Sequence, residues 1–251
     1  MATDTPAPSP VLELADVVAG YGAMTILNGT TFRVRRGTIT TIIGPNGAGK
    51  STVFKTVFGL LQARSGRITF DGADATNAGP RRLLARGMIY LPQGRNIFPE
   101  LSVRHNLELG GVATKTHDVA ARVEAAMDHF PVLRRKADRQ ASTLSGGEQK
   151  LLEIARGLLL DPKLILIDEP SIGLSPLMVQ ETFDILKNLR SRGVTVLMVE
   201  QNAKSALEIS DDGLVLELGR TRMSGSARSL LEDPRVGQLF LGGTIESEPV
   251  S

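Results

Sequence analysis

The sequence predicts an α/β fold built on a mostly parallel β-sheet, and three observations support this. Short apolar or β-branched runs occupy residues 39–43, 164–167 and 194–199, and such runs are typical of strands buried on both faces of a parallel sheet. Segments with helical spacing separate these strands, which is the order of an α/β architecture. The length of 251 residues allows one large domain or a domain with a subdomain.

The amino-terminal elements are expected to be strands. Residues 11–18 and 30–34 alternate between apolar and polar side chains, with turn signals at the two glycines that flank Tyr21 and at Asn28-Gly29. A further strand is predicted at residues 66–71.

The strand at residues 39–43 is followed by a glycine loop and then by a helix predicted at residues 50–61. From about residue 95 to residue 160 the spacing becomes helical, most clearly at 122–130 and 148–159. We interpret this stretch as a helical insertion between strands of the sheet.

The last part of the chain returns to strands and short helices. Pro176 opens a helix that Gly193 closes. The apolar stripe of this helix consists of Val179, Phe183, Leu186 and Leu189. Residues 214–218, followed by Gly219-Arg220, predict a hairpin, and short helices are expected from there to residue 243.

The composition excludes several classes of function. The formal net charge is +2, Trp is absent and aromatic residues are few, so we expect no nucleic-acid partner. Without Cys the chain has neither a disulfide framework nor a thiolate metal site. Residues 1–10 lack the pattern of a signal peptide and are read as a disordered lead-in. The longest apolar runs are too short to cross a bilayer, so a membrane would be served from the water side.

Residues 44–52 (GPNGAGKST) are predicted to form a P-loop that binds the phosphates of ATP. A strand precedes them and a helix follows, which is the context such a loop requires. The glycines turn backbone N–H groups toward the phosphates, Lys50 adds a charge and Ser51 adds a hydroxyl ligand for Mg²⁺. Because a charge-assisted hydrogen bond contributes about 1.5–3 kcal/mol, loss of Lys50 should weaken binding more than about tenfold. The predicted nucleotide-binding residues of the loop are Gly44, Pro45, Asn46, Gly47, Ala48, Gly49, Lys50, Ser51 and Thr52.

Two adjacent acids end the apolar strand at residues 164–167. Asp168 is expected to hold Mg²⁺ at the carboxyl edge of the sheet, directly or through water. Glu169 is expected to reach the far side of the γ-phosphate, where a carboxylate can act as general base on the attacking water.

Residues 144–149 (LSGGEQ) contain a second predicted anion-binding helix start. Ser145 and Glu148 match a capping box, which stabilises a helix by about 1 kcal/mol. A capping box does not require Gly146 and Gly147, which are poor helix residues but leave backbone N–H groups open to an anion. A single P-loop site does not need a second anion-binding helix start. The sequence therefore suggests a site completed by two chains.

These motifs, in this order and together with Gln93 in LPQG, resemble the ATP-binding cassette (ABC) family over essentially the whole chain. The resemblance implies an ABC ATPase fold with an antiparallel β subdomain and a helical subdomain, about residues 95–160, inserted in the core. It places the ATP-binding domain at residues 11–243 and a tail at 244–251.

The same resemblance implies roles for further residues. Tyr21 matches the aromatic residue that stacks on adenine, and Gln93 matches the loop glutamine that senses Mg²⁺ and the lytic water. In the family two cassettes pack head to tail, so that Ser145 and Gly147 of one contact the γ-phosphate bound by the other. The partner is expected to be a different cassette or a second copy of this chain.

Narrower motifs (PQGRNIFPELSV, DEPSIGLSP, VEQNA and LFLGG) are similar to those of the smaller ATPase of branched-chain amino acid uptake systems. That similarity implies integral permease subunits, indirectly a substrate-binding protein, and a peripheral location on the cytoplasmic face of the inner membrane. Importers of urea and short amides carry similar motifs and remain an alternative. A soluble, non-transport ABC ATPase is a further alternative, disfavoured by the single cassette and the lack of long heptads.

Two positions depart from the general family pattern. Gln201 stands where most members have a histidine, and Ser175 stands where most have an aspartate. A glutamine can donate a hydrogen bond to phosphate but cannot carry a positive charge. We expect Gln201 to occupy a catalytic position. Because it lacks a positive charge, we also expect the partner ATPase to contribute to the more active site. Apolar residues Ile97, Phe98 and Leu101, after Gln93, suggest a docking surface for a membrane partner, or local packing.

Overall fold

The computed structural model describes residues 9–94, 96–112 and 118–240, and the predicted tail and most of the predicted lead-in lie outside these ranges. Over the described residues the chain forms two β-sheets and a set of helices, which confirms the predicted α/β class. The strands are β1 Leu12–Tyr21, β2 Met24–Val34, β3 Ile39–Ile43, β4 Ala63–Phe70, β5 Ala73–Asp74, β6 Met88–Leu91, β7 Leu164–Asp168, β8 Thr195–Val199, β9 Asp212–Glu217 and β10 Arg220–Ser226.

The larger sheet has six strands in the order β10-β9-β3-β8-β7-β6. All neighbouring strands in it are parallel except β9 and β10, which form the predicted antiparallel hairpin. Because the central strands run in one direction, their carboxyl ends meet at the same edge. The register there pairs Ile42 with Val199 and Val199 with Asp168, so the ends of β3, β8 and β7 are aligned.

The smaller sheet is antiparallel, in the order β2-β1-β4-β5. Its first hairpin turns at residues 22–23, where Tyr21 pairs with Met24. The turn expected at Asn28-Gly29 is wrong, because both residues lie within β2. Gly29 has φ +86° at a shift in register with β1, and a glycine of positive φ serves a β-bulge as well as a turn.

The helices cover both faces of the larger sheet and form most of residues 103–158. They are α1 Lys50–Val57, α2 Pro80–Ala85, α3 Val103–Gly111, α4 Val119–His129, α5 Pro131–Arg135, α6 Gly146–Leu158, α7 Pro176–Ser191, α8 Ala203–Ile209, α9 Ala227–Glu232 and α10 Pro234–Phe240. Helix α1 ends before the predicted residue 61 because Gly59 adopts φ +74° against the carbonyl of Ala78. The short elements β5, β6 and α2 were not predicted from the pattern.

Separate groups of buried side chains fill the molecule. One packs the smaller sheet and α1 against the larger sheet, including Phe54 and Ile42. A second lies on the opposite face of that sheet, where Phe183 and Leu186 of α7 confirm the predicted apolar stripe. A third lies entirely within residues 103–159 and gives the helical segment a core of its own. None of the helices in the described part of the chain is both long and apolar enough to span a bilayer.

Candidate active site

The glycine loop lies where β3 ends and α1 begins, at the carboxyl edge of the larger sheet. A side chain at Gly44 would place its Cβ 2.1 Å from the carbonyl oxygen of Leu216, so this position has no room for one. Gly47 and Gly49 have φ of +82° and +103°, values that disfavour other residues. Gly49 is also the N-cap of α1, so the loop ends on the positive end of that helix.

Lys50, the first residue of α1, turns back over this loop. Its side chain is buried, and its Nζ donates to the carbonyl oxygens of Gly44 at 2.7 Å and of Pro45 at 3.1 Å. Burial lowers the pKa of Lys50, and the nearby carboxylates of Glu169 and Asp168 oppose that shift. The ammonium group is therefore held inside the loop that the sequence predicts to bind phosphate.

Asp168 is the last residue of β7 and is bonded through both carboxylate oxygens. Ser51 Oγ donates to Oδ1 at 3.4 Å, and the hydroxyl of Tyr90 donates to Oδ2 at 3.2 Å. Burial raises the pKa of Asp168, whereas the hydrogen bonds from Ser51 and Tyr90 lower it. The predicted metal acid is thus placed beside the predicted metal hydroxyl.

The carboxylate of Glu169 accepts hydrogen bonds from both predicted catalytic glutamines. Gln93 Nε2 donates to its Oε2 at 3.1 Å, and Gln201 Nε2 donates to its Oε1 at 2.9 Å. Glu169 itself has φ +50°, an unfavourable value for a residue with a side chain, and its N–H donates to the carbonyl of Val199 at 2.9 Å. The structure therefore brings together three side chains that are far apart in sequence.

Tyr21, which is predicted to stack on the base of the nucleotide, is more exposed than Lys50, Asp168 and Glu169. Tyr21 ends β1 with 45% of its surface exposed, and Lys55 Nζ lies 5.8 Å from the centre of its ring. The ring is free enough to stack on a base. Among the described residues no hydrogen bond ties it to the glycine loop, so its orientation depends on the end of β1 and on the contact with Lys55.

The signature segment at residues 144–149 forms the predicted capping box. Ser145 Oγ accepts from the N–H of Glu148 at 3.3 Å, and Glu148 Oε2 accepts from the N–H of Ser145 at 2.9 Å. Lys136 Nζ also donates to both oxygens of Glu148, at 2.6 and 2.8 Å. Burial alone would raise the pKa of Glu148, but these bonds hold it below its usual value.

Ser145 and Gly146 are exposed, and Ser145 Oγ contacts Met178 Sδ of α7 at 3.9 Å. A Cβ on Gly147 would lie 2.0 Å from Met178 Sδ, whereas one on Gly146 would meet only Leu174 at 3.5 Å. In the described ranges, no hydrogen bond joins residues 145–148 to residues 44–52, Asp168 or Glu169. The two predicted phosphate-binding segments are not assembled into one site within a single chain.

A family model described as "ABC transporter" matches residues 27–172 of this chain, which include both segments. The chain belongs to the ABC transporter family. A branched-chain amino acid transport ATP-binding protein, BraG of Pseudomonas aeruginosa, is 40% identical over 93% of this chain and 100% of its own length. A probable ATP-binding protein of the same kind, LivF of Archaeoglobus fulgidus, is 38% identical over 92% of this chain and 99% of its own length.

Solved structures agree with this assignment. The ADP conformation of an ATP-binding cassette of an ABC transporter has a TM-score of 0.84 and 31% identity, covering 94% of this chain and 100% of that chain. A second structure of that cassette has a TM-score of 0.85 and 30% identity, covering 93% and 100%. This cassette is therefore an ATP-binding ATPase of the ABC type, as predicted.

Three further residues of the cassette were missed by reasoning from the sequence. Tyr90 is one, and its bond to Asp168 crosses from β6 to β7. The other two are Glu200 and Ser171, because the buried carboxylate of Glu200 accepts from the N–H and the hydroxyl of Ser171, each at 2.8 Å. Burial raises the pKa of Glu200. An acid directly after an apolar strand and directly before Gln201 was the only available signal.

Ser175, the second departure from the family pattern, has a clear local role. Its Oγ accepts from the N–H of Met178 at 3.4 Å as the N-cap of α7. An aspartate would cap the helix in the same way. The replacement therefore preserves the start of α7.

Proposed function

We propose that this chain is the ATP-hydrolysing subunit of an importer for branched-chain amino acids. One observation supports the hydrolytic part of this proposal. Gln93 and Gln201 both bond the carboxylate of Glu169, which lies next to Lys50 and Asp168. The names of the two transport relatives support the substrate class.

In this proposal the nucleotide binds along the start of α1. Backbone N–H groups of residues 44–52 and the ammonium of Lys50 bind its phosphates, and Tyr21 stacks on its base. The oxygens of Ser51 and Asp168 suit Mg²⁺, which prefers hard oxygen ligands and one or two carboxylates beside the substrate phosphates. When bound, Mg²⁺ would neutralise phosphate charge, and Gln93 would complete its surroundings from the loop after β6.

Glu169 is the proposed general base. Its carboxylate takes a proton from water, the water oxygen bonds to the γ-phosphorus, and the bond from that phosphorus to the oxygen retained by ADP breaks. Gln93 and Gln201 each bond a different oxygen of Glu169, which fixes the plane of the carboxylate. A base held in one orientation raises the reaction rate, because the base is already oriented toward the water before the reaction begins.

The second half of each site is proposed to come from another cassette, either a different one or a second copy of this chain. Ser145, Gly146, Gly147 and Glu148 would present the start of α6 to the phosphates bound by the partner. The exposure of Ser145 and Gly146, and the separation of the segment from this chain's own glycine loop, support this arrangement. Nucleotide then acts as a ligand of the closed pair, and its hydrolysis reopens the pair.

A permease subunit is proposed to dock in the groove between the larger sheet and the helical segment, taken as an inserted subdomain of residues 95–160. This groove has a volume of about 290 Å³ and is lined by Leu84, Leu91, Leu109 and Leu160. Asn96 lies at its edge, three residues beyond Gln93. A largely apolar groove next to a catalytic loop, with Glu153 and Arg156 also in its lining, suits an amphipathic helix from a membrane protein. The chain would thus lie peripherally on the cytoplasmic face of the inner membrane, with a substrate-binding protein supplying the solute to the permease.

Isolation of the chain from membranes tests the transport part, with its co-purifying subunits identified by mass spectrometry. Permease subunits together with a solute-binding protein that binds leucine, isoleucine or valine are expected. Recovery with a urea-binding or amide-binding protein would replace the substrate class, and recovery without any membrane subunit would contradict the proposal.

A sizing column tests the pairing. Glu169→Gln with ATP should trap a closed pair. A dimer of this chain alone supports self-pairing, whereas a persistent monomer that dimerises only with a second cassette supports the hetero-pair.

A further inference from the structure

Tyr90 is a residue near the nucleotide site to which no role has yet been given. It lies on β6 and pairs in register with Leu166 of β7, so its side chain stands beside the end of the neighbouring strand. Its hydroxyl donates to Asp168 Oδ2 at 3.2 Å. The other described donor to this carboxylate, Ser51, contacts Oδ1 and is itself a proposed metal ligand.

The ring of Tyr90 is held between two phenylalanines of the first helix region. It lies 5.9 Å from the ring of Phe54 at an interplanar angle of 79°, and 5.6 Å from that of Phe58 at 54°. Phe54 is fully buried, so the phenol has little freedom to swing away. An aromatic ring packed in this way fixes the position of its hydroxyl group.

We propose that Tyr90 is a positioning residue that holds the carboxylate of Asp168 in the orientation that receives Mg²⁺. The inference rests on the proposed function of Ser51 and Asp168. By bonding Oδ2, Tyr90 leaves Oδ1 directed toward Ser51 and the start of α1. Partners of this kind orient metal ligands, and their loss typically lowers metal affinity about 10- to 100-fold.

Tyr90 also connects three parts of the site. Its strand continues within three residues to Gln93, its ring packs on α1 below Lys50, and its hydroxyl contacts the end of β7. A change in the position of β6 would therefore move the Tyr90 hydroxyl that bonds Asp168.

The test measures binding of a fluorescent ATP analogue as Mg²⁺ is titrated, with no turnover required. Tyr90→Phe removes only the hydroxyl and keeps the ring. We expect this variant to raise the Mg²⁺ concentration for half-maximal binding by about tenfold. Its affinity for the nucleotide should be unchanged when a chelator removes Mg²⁺. Phe58→Leu is the matched control, because it removes one of the two packing rings but keeps Phe54 and the hydroxyl, and its Mg²⁺ dependence should shift much less than that of Tyr90→Phe.

Three results would overturn the inference. One is an unchanged Mg²⁺ dependence in Tyr90→Phe, and another is an equal shift in Phe58→Leu, which would make the effect one of packing. The third is nucleotide binding in the unmodified chain that does not respond to Mg²⁺. That last result would also refute the proposed metal site, whereas the first two would leave it intact. Thermal unfolding of each variant verifies that the fold is retained.

Discussion

The glycine loop and the signature segment both begin a helix, yet they are built in opposite ways. Around the loop the charged side chains of Lys50 and Glu169 are buried and hydrogen-bonded, Lys50 to loop carbonyls and Glu169 to two glutamines. In the signature segment Ser145 and Gly146 are exposed, and the side-chain hydrogen bonds of residues 145–148 are the capping box, the link to Lys136 and a contact of Ser145 with Met178 Sδ. The first region is arranged to hold a ligand by itself, and the second is arranged to meet one held elsewhere.

This difference separates two kinds of variant. Changes around the glycine loop should alter what a single chain binds or hydrolyses. Changes in the signature segment should leave the nucleotide affinity of a single chain intact and alter turnover only when two cassettes close.

The largest effect is expected from Glu169→Gln. A general base contributes about 10²- to 10⁴-fold, so turnover of ATP should fall by about a hundredfold or more while the affinity for ATP is retained. Steady-state phosphate release and equilibrium binding check the two quantities separately. Glu217→Gln is the matched control, since Glu217 is also a buried carboxylate but pairs with Arg222. Comparable losses in both variants would contradict the role of Glu169.

Lys50→Ala should weaken ATP binding by a single chain about 10- to 100-fold, because a charge-assisted hydrogen bond to phosphate is lost. Titration of a fluorescent nucleotide measures this. Lys163→Ala is the control, because that lysine forms an exposed ion pair with Asp71 away from the loop. Binding within about twofold of the unmodified chain would show that the backbone N–H groups alone suffice, against the expected contribution of one charge.

Gly147→Ala should lower turnover about tenfold or more without changing single-chain affinity. The added Cβ would lie 2.0 Å from Met178 Sδ and shift the start of α6, and small displacements of a positioning group are costly. Gly146→Ala is the paired control, since its Cβ makes only an ordinary contact. If the two alanine variants behave alike, the contact with Met178 does not position the segment.

Glu148→Ala should lower the free energy of unfolding by about 1 kcal/mol, because the capping box is lost. Urea unfolding measures this. Glu208→Ala, an exposed residue of α8, should change stability by less than about 0.5 kcal/mol. A result within that limit for Glu148 as well would mean that the glycine start of α6 does not depend on its cap.

The effects of pH on stability should be smaller, and they should be opposite in sign for Glu200 and Glu148. Burial raises the pKa of Glu200, so the folded chain binds this proton more readily than the unfolded chain. Stability from Glu200 therefore falls as pH rises from the usual carboxyl pKa through the raised value. Glu148 has a lowered pKa, so its contribution is present above the usual value and is lost as pH falls through the lowered one. Glu200→Gln should flatten the first slope by at most about 1.4 kcal/mol per pH unit.

Unfolding of Glu200→Gln and Glu148→Ala across pH 3–8 checks these signs. The unmodified chain provides the reference slope at each pH. A steeper loss of stability with rising pH in Glu200→Gln than in the unmodified chain would contradict the assignment.

Much of the architecture could be predicted because its signals are local. The strand at Ile39–Ile43, the loop and the start of α1 follow from residues within a few positions of one another. The same is true of the box of Ser145 and Glu148. Where a local signal permits two structures it fails, as at Gly29, whose positive φ serves a bulge in β2.

The resemblance to ABC proteins supplied the expected roles of Gln93 and Tyr21, and the family itself is now established by the comparisons. The sequence alone could not predict Tyr90 as a partner of Asp168. That contact depends on β6 lying next to β7, and β6 itself was not predicted.

By itself the sequence determined the family, the nucleotide loop, the acids at the end of β7 and the helix start at Ser145, because each is a pattern of neighbouring residues. The tertiary structure alone decided that Gln93 and Gln201 share the two oxygens of Glu169, and that Ser51 and Tyr90 share those of Asp168. The physical reason is the strand order β3-β8-β7-β6, which brings separate carboxyl ends to one edge. Spacing along a chain does not specify which strands become neighbours.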